Sequence, residues 1–362
     1  MEENAINKCS KRVLNGFAIV SMSIRYRPLQ PKDVRKCVEL VAAHPILGPR
    51  YGRVIEQLPR AILHRLGGDC IAAIAFEEFQ KNSTRFLGAC LAAFVSDDFL
   101  CQVKTVPNFW VGPELVKAIS SGNSPLLSDK EVRDANSTGG LNLLVWHNTL
   151  HPMDLSRTEI GNPCWTSFYE LYRGFFLKEL LGQADSLEQF HGMQNCGGRY
   201  FWTAEGCFGG FPQVDAHHFS DEPRNAGITR ELAISELASW VGSLFVYESP
   251  RFGFARSEQR LLLSALEGGT DEQLAAKLGV SLSAVKKTWR AIYDRVAQCS
   301  TGLIPINSDS DAQPYGRGKE KKQCLIDYLR EHPEELRPLS RKLIEQRTAQ
   351  RNRSGRAIAT SA

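Results

Sequence analysis

Between residues 254 and 297, apolar side chains recur at three- and four-residue spacing in three short runs, broken only by Gly268-Gly269 and by Gly279-Val280-Ser281. That spacing places them on one face of a helix, and breaks this short force consecutive helices to pack as neighbours. Ser257 is expected to cap the first helix, which carries Leu261, Leu262, Ala265 and Leu266. Thr270 is expected to cap a second over Asp271–Leu278, with Asp271 and Glu272 in the first turn, where the helix dipole favours negative charge. Ser281 or Ser283 caps a third, in which Val285, Trp289, Ile292 and Val296 share one face and Lys286, Lys287, Thr288 and Arg290 face away from it. Val280 is read as a spacer dropping between the helices.

Three helices so joined specify a helix-turn-helix: glycine tolerates the positive φ of the tight turn, and the third helix can enter a major groove. The stretches Phe254-Ala255-Arg256-Ser257-Glu258, Leu274-Ala275-Ala276-Lys277-Leu278-Gly279-Val280-Ser281 and Ala284-Val285-Lys286-Lys287 resemble the helix-turn-helix of LuxR-type response regulators, and the spacing is similar to region 4 of extracytoplasmic-function sigma factors. The resemblance implies a four-helix module in which Thr270, Ser281, Ser283, Lys286, Lys287, Thr288 and Arg290 face double-stranded DNA. Phe254-Ala255 stands where that family usually has Leu-Thr, and Thr288 where a His is common, so base preference does not transfer.

Charge points the same way. Residues 1–250 hold 24 Lys and Arg against 27 Asp and Glu, whereas residues 251–362 hold 20 against 13. Clustered cations gain by displacing counterions from phosphate, so the basic C-terminal part is matched to a polyanion. Arg337, Arg341, Lys342, Arg347, Arg351, Arg353 and Arg356 add a basic end read as a source of nonspecific DNA contacts. No apolar run reaches the ~20 residues of a bilayer span. Ten cysteines without a C-x-x-C read as reduced thiols, so a cytoplasmic protein without a membrane partner is expected.

The larger N-terminal part mixes periods. Residues 1–23 form a loose leader and 24–247 an α+β domain, followed by the helix-turn-helix over 252–298, a linker over 299–320 and a basic helical tail over 321–362. Strands are expected at Ile24–Arg27, Cys70–Glu77, Arg85–Val95, Leu141–His147 and Gly198–Ala204. Helices are expected from Asp33, across Val54–Leu66, across Ser167–Leu181 and across Thr229–Ser243. Residues 102–139, rich in Pro, Gly and Ser, read as an insertion or crossing connection with one helical stretch near Pro113–Ile119.

This order of elements, opening on Ile24-Arg25-Tyr26-Arg27-Pro28-Leu29 and Asp33, is similar to the GNAT family of N-acetyltransferases. That resemblance implies a coenzyme diphosphate held by a Gln/Arg-x-x-Gly-x-Gly/Ala loop opening a helix, where free amides bind the anion. Leu141–His147 is instead followed by Asn148-Thr149-Leu150-His151-Pro152 and, before Ser167, by Gly161-Asn162-Pro163, which lack it.

Other constellations read as structural. His147 and His151 are four apart, but Pro152 and the strand before them deny them a common helical face. Cys196, Cys207, His217 and His218 match no common zinc spacing. Gly206-Cys207-Phe208-Gly209-Gly210 lacks the Lys-Ser/Thr of a phosphate-binding loop.

The expectation is therefore a DNA-binding transcriptional regulator without enzymatic activity, catalytic residue, metal or cofactor, whose N-terminal domain senses a ligand or partner. Its partners would be double-stranded DNA, RNA polymerase and a second copy of the chain. The alternatives are an acetyl-CoA-dependent N-acetyltransferase with an appended DNA-binding module, or a divergent sigma factor.

Overall fold

The computed structural model describes residues 23–80, 83–151, 158–184, 187–195, 200–203, 206–208, 224–235, 239–299, 302–304 and 317–340. The expectations for residues 1–22 and for the basic end beyond residue 340 fall outside them.

Eight strands make one sheet: β1 (Ser23–Pro28), β2 (Ile71–Gln80), β3 (Ser83–Val95), β4 (Leu141–Leu150), β5 (Leu177–Ala184), β6 (Tyr200–Thr203), β7 (Gly206–Phe208) and β8 (Arg224–Thr229). Their spatial order is β1-β2-β3-β4-β5-β8-β6-β7. Every pairing is antiparallel except β4 with β5. A parallel pair needs a crossover, and helix α7, introduced below, supplies it. Runs such as Leu87–Val95 and Leu141–Leu144 are buried throughout, as strands covered on both faces must be.

Helices α1 (Val34–Ala43), α2 (Leu47–Tyr51) and α3 (Leu58–Leu63) lie between β1 and β2. The single helix expected across Val54–Leu66 is instead a 3-10 turn, Gly52–Gln57, followed by α3. Gly52 takes φ +49° and Pro59 lacks an amide, which together break the run.

Residues 97–137 fold into α4 (Asp97–Thr105), α5 (Val111–Ser120) and α6 (Asp129–Ser137), more helix than composition suggested. Caps explain it. Ser96 Oγ accepts from Phe99 N, Ser128 Oγ accepts from Glu131 N, and Pro113 sits in a first turn, where its missing amide costs nothing.

Helix α7 (Thr158–Tyr172) is followed by a turn at Gly174 and by β5, so the helix expected across Ser167–Leu181 stops early. Phe175-Phe176-Leu177 and Leu180-Leu181 flank Lys178-Glu179, a pattern too short to separate helix from buried strand by period alone. The Tyr172 hydroxyl donates to Ala92 O (3.2 Å), fastening α7 to the sheet. After β5 come α8 (Leu187–Asn195) and, directly from β8, α9 (Arg230–Ser235), where a longer helix over Thr229–Ser243 was expected.

A second apolar core begins at Phe252. It is built from α10 (Arg256–Leu266), α11 (Asp271–Leu278), α12 (Leu282–Cys299) and α13 (Arg317–Glu331), closed by a 3-10 turn at Pro333–Leu336. Ala255, not Ser257, is the N-cap residue of α10; the Glu258 carboxylate accepts from Ala255 N (2.7 Å) and supplies the cap from within the first turn. Val280 does not fill a gap between helices: it is 46% exposed. Residues 317–336 are no loose tail, since Leu325, Ile326, Leu329 and Leu336 are buried in this core.

The two cores meet through polar contacts. Arg337 donates to Arg173 O (2.6 Å) and lies over the Phe175 ring, so it is spent within the protein rather than offered to DNA. Asn136 Nδ2 donates to Pro338 O (2.9 Å), and Arg256 pairs with Asp129 (3.2 Å). Glu335 is fully buried, its carboxylate accepting from Arg251 N and Phe252 N at the entry to the second core. Glu335→Ala would leave those amides unpaired, at about 1–3 kcal/mol each. The expected outcome is faster hydrogen exchange of the α12 amides, corresponding to a loss of roughly 3 kcal/mol of local stability.

Candidate active site

The β4/β5 pair starts at Leu141↔Leu177, shifts register by one residue, runs from Asn142↔Glu179 to Val145↔Gly182 and there ends. Both strands continue, but with other neighbours: β4 stays on β3 as far as Leu150, and β5 stays on β8 as far as Ala184. The sheet therefore splits after Val145 and Gly182. At the same point β4 bulges. Leu91 pairs with His147 and Ala92 with Val145, leaving Trp146 unopposed. An extra residue in one strand bends it, and this bend carries β4 away from β5. Backbone groups on the facing edges lose their ladder partners there, so the split can take up hydrogen bonds from an extended ligand.

Three side chains brace the bend. Tyr51, from α2, places its hydroxyl 2.6 Å from His147 Nε2 and 3.4 Å from Trp146 Nε1. An indole nitrogen only donates, so it donates to the Tyr51 oxygen, the Tyr51 hydroxyl donates to Nε2, and the His147 proton resides on Nδ1. Burial pushes the His147 pKa down to about 3 and raises that of Tyr51 well above its usual value. His147 is thus a neutral acceptor holding the bulge, and its Nε2 is not available to pair with His151 on a metal.

Helix α5 closes over this group at Gly112, where a Cβ would collide with the Tyr51 hydroxyl. One residue past the split, Gln183 of β5 accepts from Val111 N (3.0 Å) and donates to Phe109 O (3.0 Å) and Asn225 Oδ1 (2.9 Å). Asn225 donates in turn to Val103 O (3.1 Å). The inserted helices are thereby fastened to the mouth of the split. Tyr51, Gly112, Gln183 and Asn225 escaped the sequence reading because Tyr51 and His147 lie 96 positions apart and no local motif joins them.

On the far side of β4, Cys164 of α7 approaches Asn148 Oδ1 (3.6 Å). The connection from β4 to α7 crosses residues 152–157, outside the described residues. So do Cys196, His217 and His218.

The residues expected to face DNA lie together on the second core. Thr270 caps α11, with its Oγ accepting from Gln273 N, and Gly279 ends that helix at φ +66°. Ser281, beside Ser283, caps α12 by accepting from Ala284 N (3.2 Å). Lys286, Lys287 and Arg290 are exposed along α12, while Thr288 is half-buried and donates to Ala284 O.

No family model matches the sequence, and no curated protein is similar to it. Solved structures of related shape include a spermidine N-acetyltransferase chimera of Vibrio cholerae SpeG and hSSAT (10% identity, 58% of this chain and 97% of the other, TM-score 0.31). They also include the GNAT-like decarboxylase GphF in complex with isobutyryl-CoA (12%, 57% and 98%, 0.32) and the C-terminal condensation domain of Ebony in complex with beta-alanyl-dopamine (9%, 57% and 99%, 0.33). At such values no residue role or substrate passes from them to this chain.

The larger lobe is a mixed α/β fold around one eight-stranded sheet. The neighbours named are an acetyltransferase and related enzymes, which runs against two expectations: that the protein is a transcriptional regulator, and that it is no enzyme. Among the described residues, no helix is long and apolar enough to cross a membrane.

Two measurements check this geometry. Gly112→Ala is expected to destabilise the protein by about 2 kcal/mol through overpacking, and Tyr51→Phe in the same chain to recover part of that loss, in a double-mutant cycle of urea midpoints. Because folding depresses the His147 pKa from 6.5 to about 3, the unfolded chain binds more protons between those values, so stability falls as pH drops through that window. His147→Gln should flatten that slope by up to about 1.4 kcal/mol per pH unit.

Proposed function

We propose that the protein is an acyl-CoA-dependent N-acyltransferase carrying a duplex-binding module. The parting of β4 and β5 at Val145 and Gly182 carries this reading. An acylated pantetheine arm is long, narrow and studded with amides, and it suits a slot between two strands whose facing backbone groups have lost their partners. Amide N–H groups freed at the bulge are also placed to stabilise the charge that develops on an acyl oxygen under attack by an amine. His147 is not the base for that amine: it is buried, bonded to Tyr51 and too weakly basic. The sequence from His151 to Pro163 has no Gly-x-Gly, so the family's usual cradle for the coenzyme diphosphate is not supplied there.

Hydrogen exchange of the full chain with and without acetyl-CoA tests the reading. Protection of the amides of Val145–His147 and of residues 183–184, together with one-to-one uptake by calorimetry, is the expected result. Absence of both overturns it.

The module's partner is inferred from the exposed row Lys286, Lys287 and Arg290, which projects beyond a core that already uses Val285, Trp289, Ile292 and Val296. Reversing both charges in Lys286→Glu/Lys287→Glu is expected to weaken duplex binding and to lower the slope of log affinity against log salt by about 2, at roughly 0.9 per phosphate contact. An unchanged slope in a salt-series shift assay would remove DNA as the partner.

A further inference from the structure

We propose that Glu248, His332 and Glu334 form a zinc site at the junction of the two cores. Glu248 lies in the extended segment that leaves the first core after Phe245 and enters the second at Phe252. His332 follows α13, and Glu334 sits in the 3-10 turn that closes the second core. Residues more than eighty positions apart thus bring one ligand atom each to within 4.8 Å of one another.

The surroundings favour a cation. His332 Nδ1 stands 2.9 Å from Glu334 Oε1, and the Tyr328 ring stacks on the imidazole at 4.2 Å, fixing its plane. Glu334 is buried, and a second carboxylate, Glu248, is drawn towards it, although among the described residues Glu248 makes no hydrogen bond or ion pair. Arg337, whose charge acts on Glu334, gives its guanidinium to the carbonyls of Arg173 and Glu170 instead of to that carboxylate. Two carboxylates and an imidazole therefore converge, with His332 on Glu334 and no Lys or Arg bonded to either carboxylate among the described residues.

The donor set names the ion. Imidazole nitrogen with two carboxylate oxygens suits zinc, which binds such ligands at about 2.0–2.2 Å and completes four-coordination with water. Magnesium and calcium prefer all-oxygen shells. An ion held here ties the segment between the cores to the turn that closes the second one. The site is independent of acyl transfer and of DNA, and its failure would leave both readings standing.

Zinc competition against a chromophoric chelator, on the full chain under reducing conditions, tests the site. Glu248→Gln changes an exposed residue and leaves the fold in place; His332→Ala removes the nitrogen ligand. One zinc is expected to bind at least tenfold more tightly to the parent than to either variant. Cobalt in its place should show visible d–d absorption without a thiolate charge-transfer band, which separates this site from the cysteines. Equal affinity in parent and Glu248→Gln, a thiolate band on the tight cobalt ion, or no tight zinc in the parent would each overturn the proposal.

Discussion

One extra residue in β4 governs the larger lobe. Trp146 bulges out of register with β3, β4 bends, and the only parallel ladder in the described sheet ends four pairs beyond its start. Neither consequence is optional. A strand that keeps pairing on one side while curving must release the other, and the released edge carries polar groups that cannot stay unpaired without cost. This opening therefore comes from strand geometry rather than from a ring of chemical side chains.

The bend must be held, and three distant segments hold it. Tyr51 comes from a five-residue helix that gives it little support of its own, so its position depends on Gly112 above and His147 below. Gln183 uses its amide at both ends to fix Phe109 and Val111, which makes the insertion between β3 and β4 part of the site rather than decoration. Such a buried polar group is costly when half satisfied and rigid when complete. Here the chain from Trp146 through Tyr51 to His147 has one consistent direction of donation.

The second core joins the first by polar and ionic contacts instead of a shared apolar interface. Arg337 and Asn136 bond backbone groups across the two, the kind of partner whose position does not depend on side-chain rotamers. That arrangement leaves the outer face of α12 clear. Lys286, Lys287 and Arg290 stay in solvent because Val285, Trp289, Ile292 and Val296 already spend the inner face on packing.

Local order was legible from sequence wherever a motif closes within a few residues. The glycine stops, the Thr270 cap and the apolar face of α12 are all short-range, and so is the Ser128-Asp129-Lys130-Glu131 box that starts α6, although composition there pointed to a loop. Periodicity failed at Phe175–Leu181, where two short apolar runs around Lys178-Glu179 suit a covered strand as well as a helix. The functional expectation rested on the small C-terminal motif, whereas the proposed site lies in the larger lobe. The sequence alone determined that three consecutive helices carry a cationic outer face, since spacing and caps act over one turn. Only the tertiary structure decided where the sheet opens and that Tyr51 meets His147, because a bulge and a contact across 96 positions are set by which strands become neighbours.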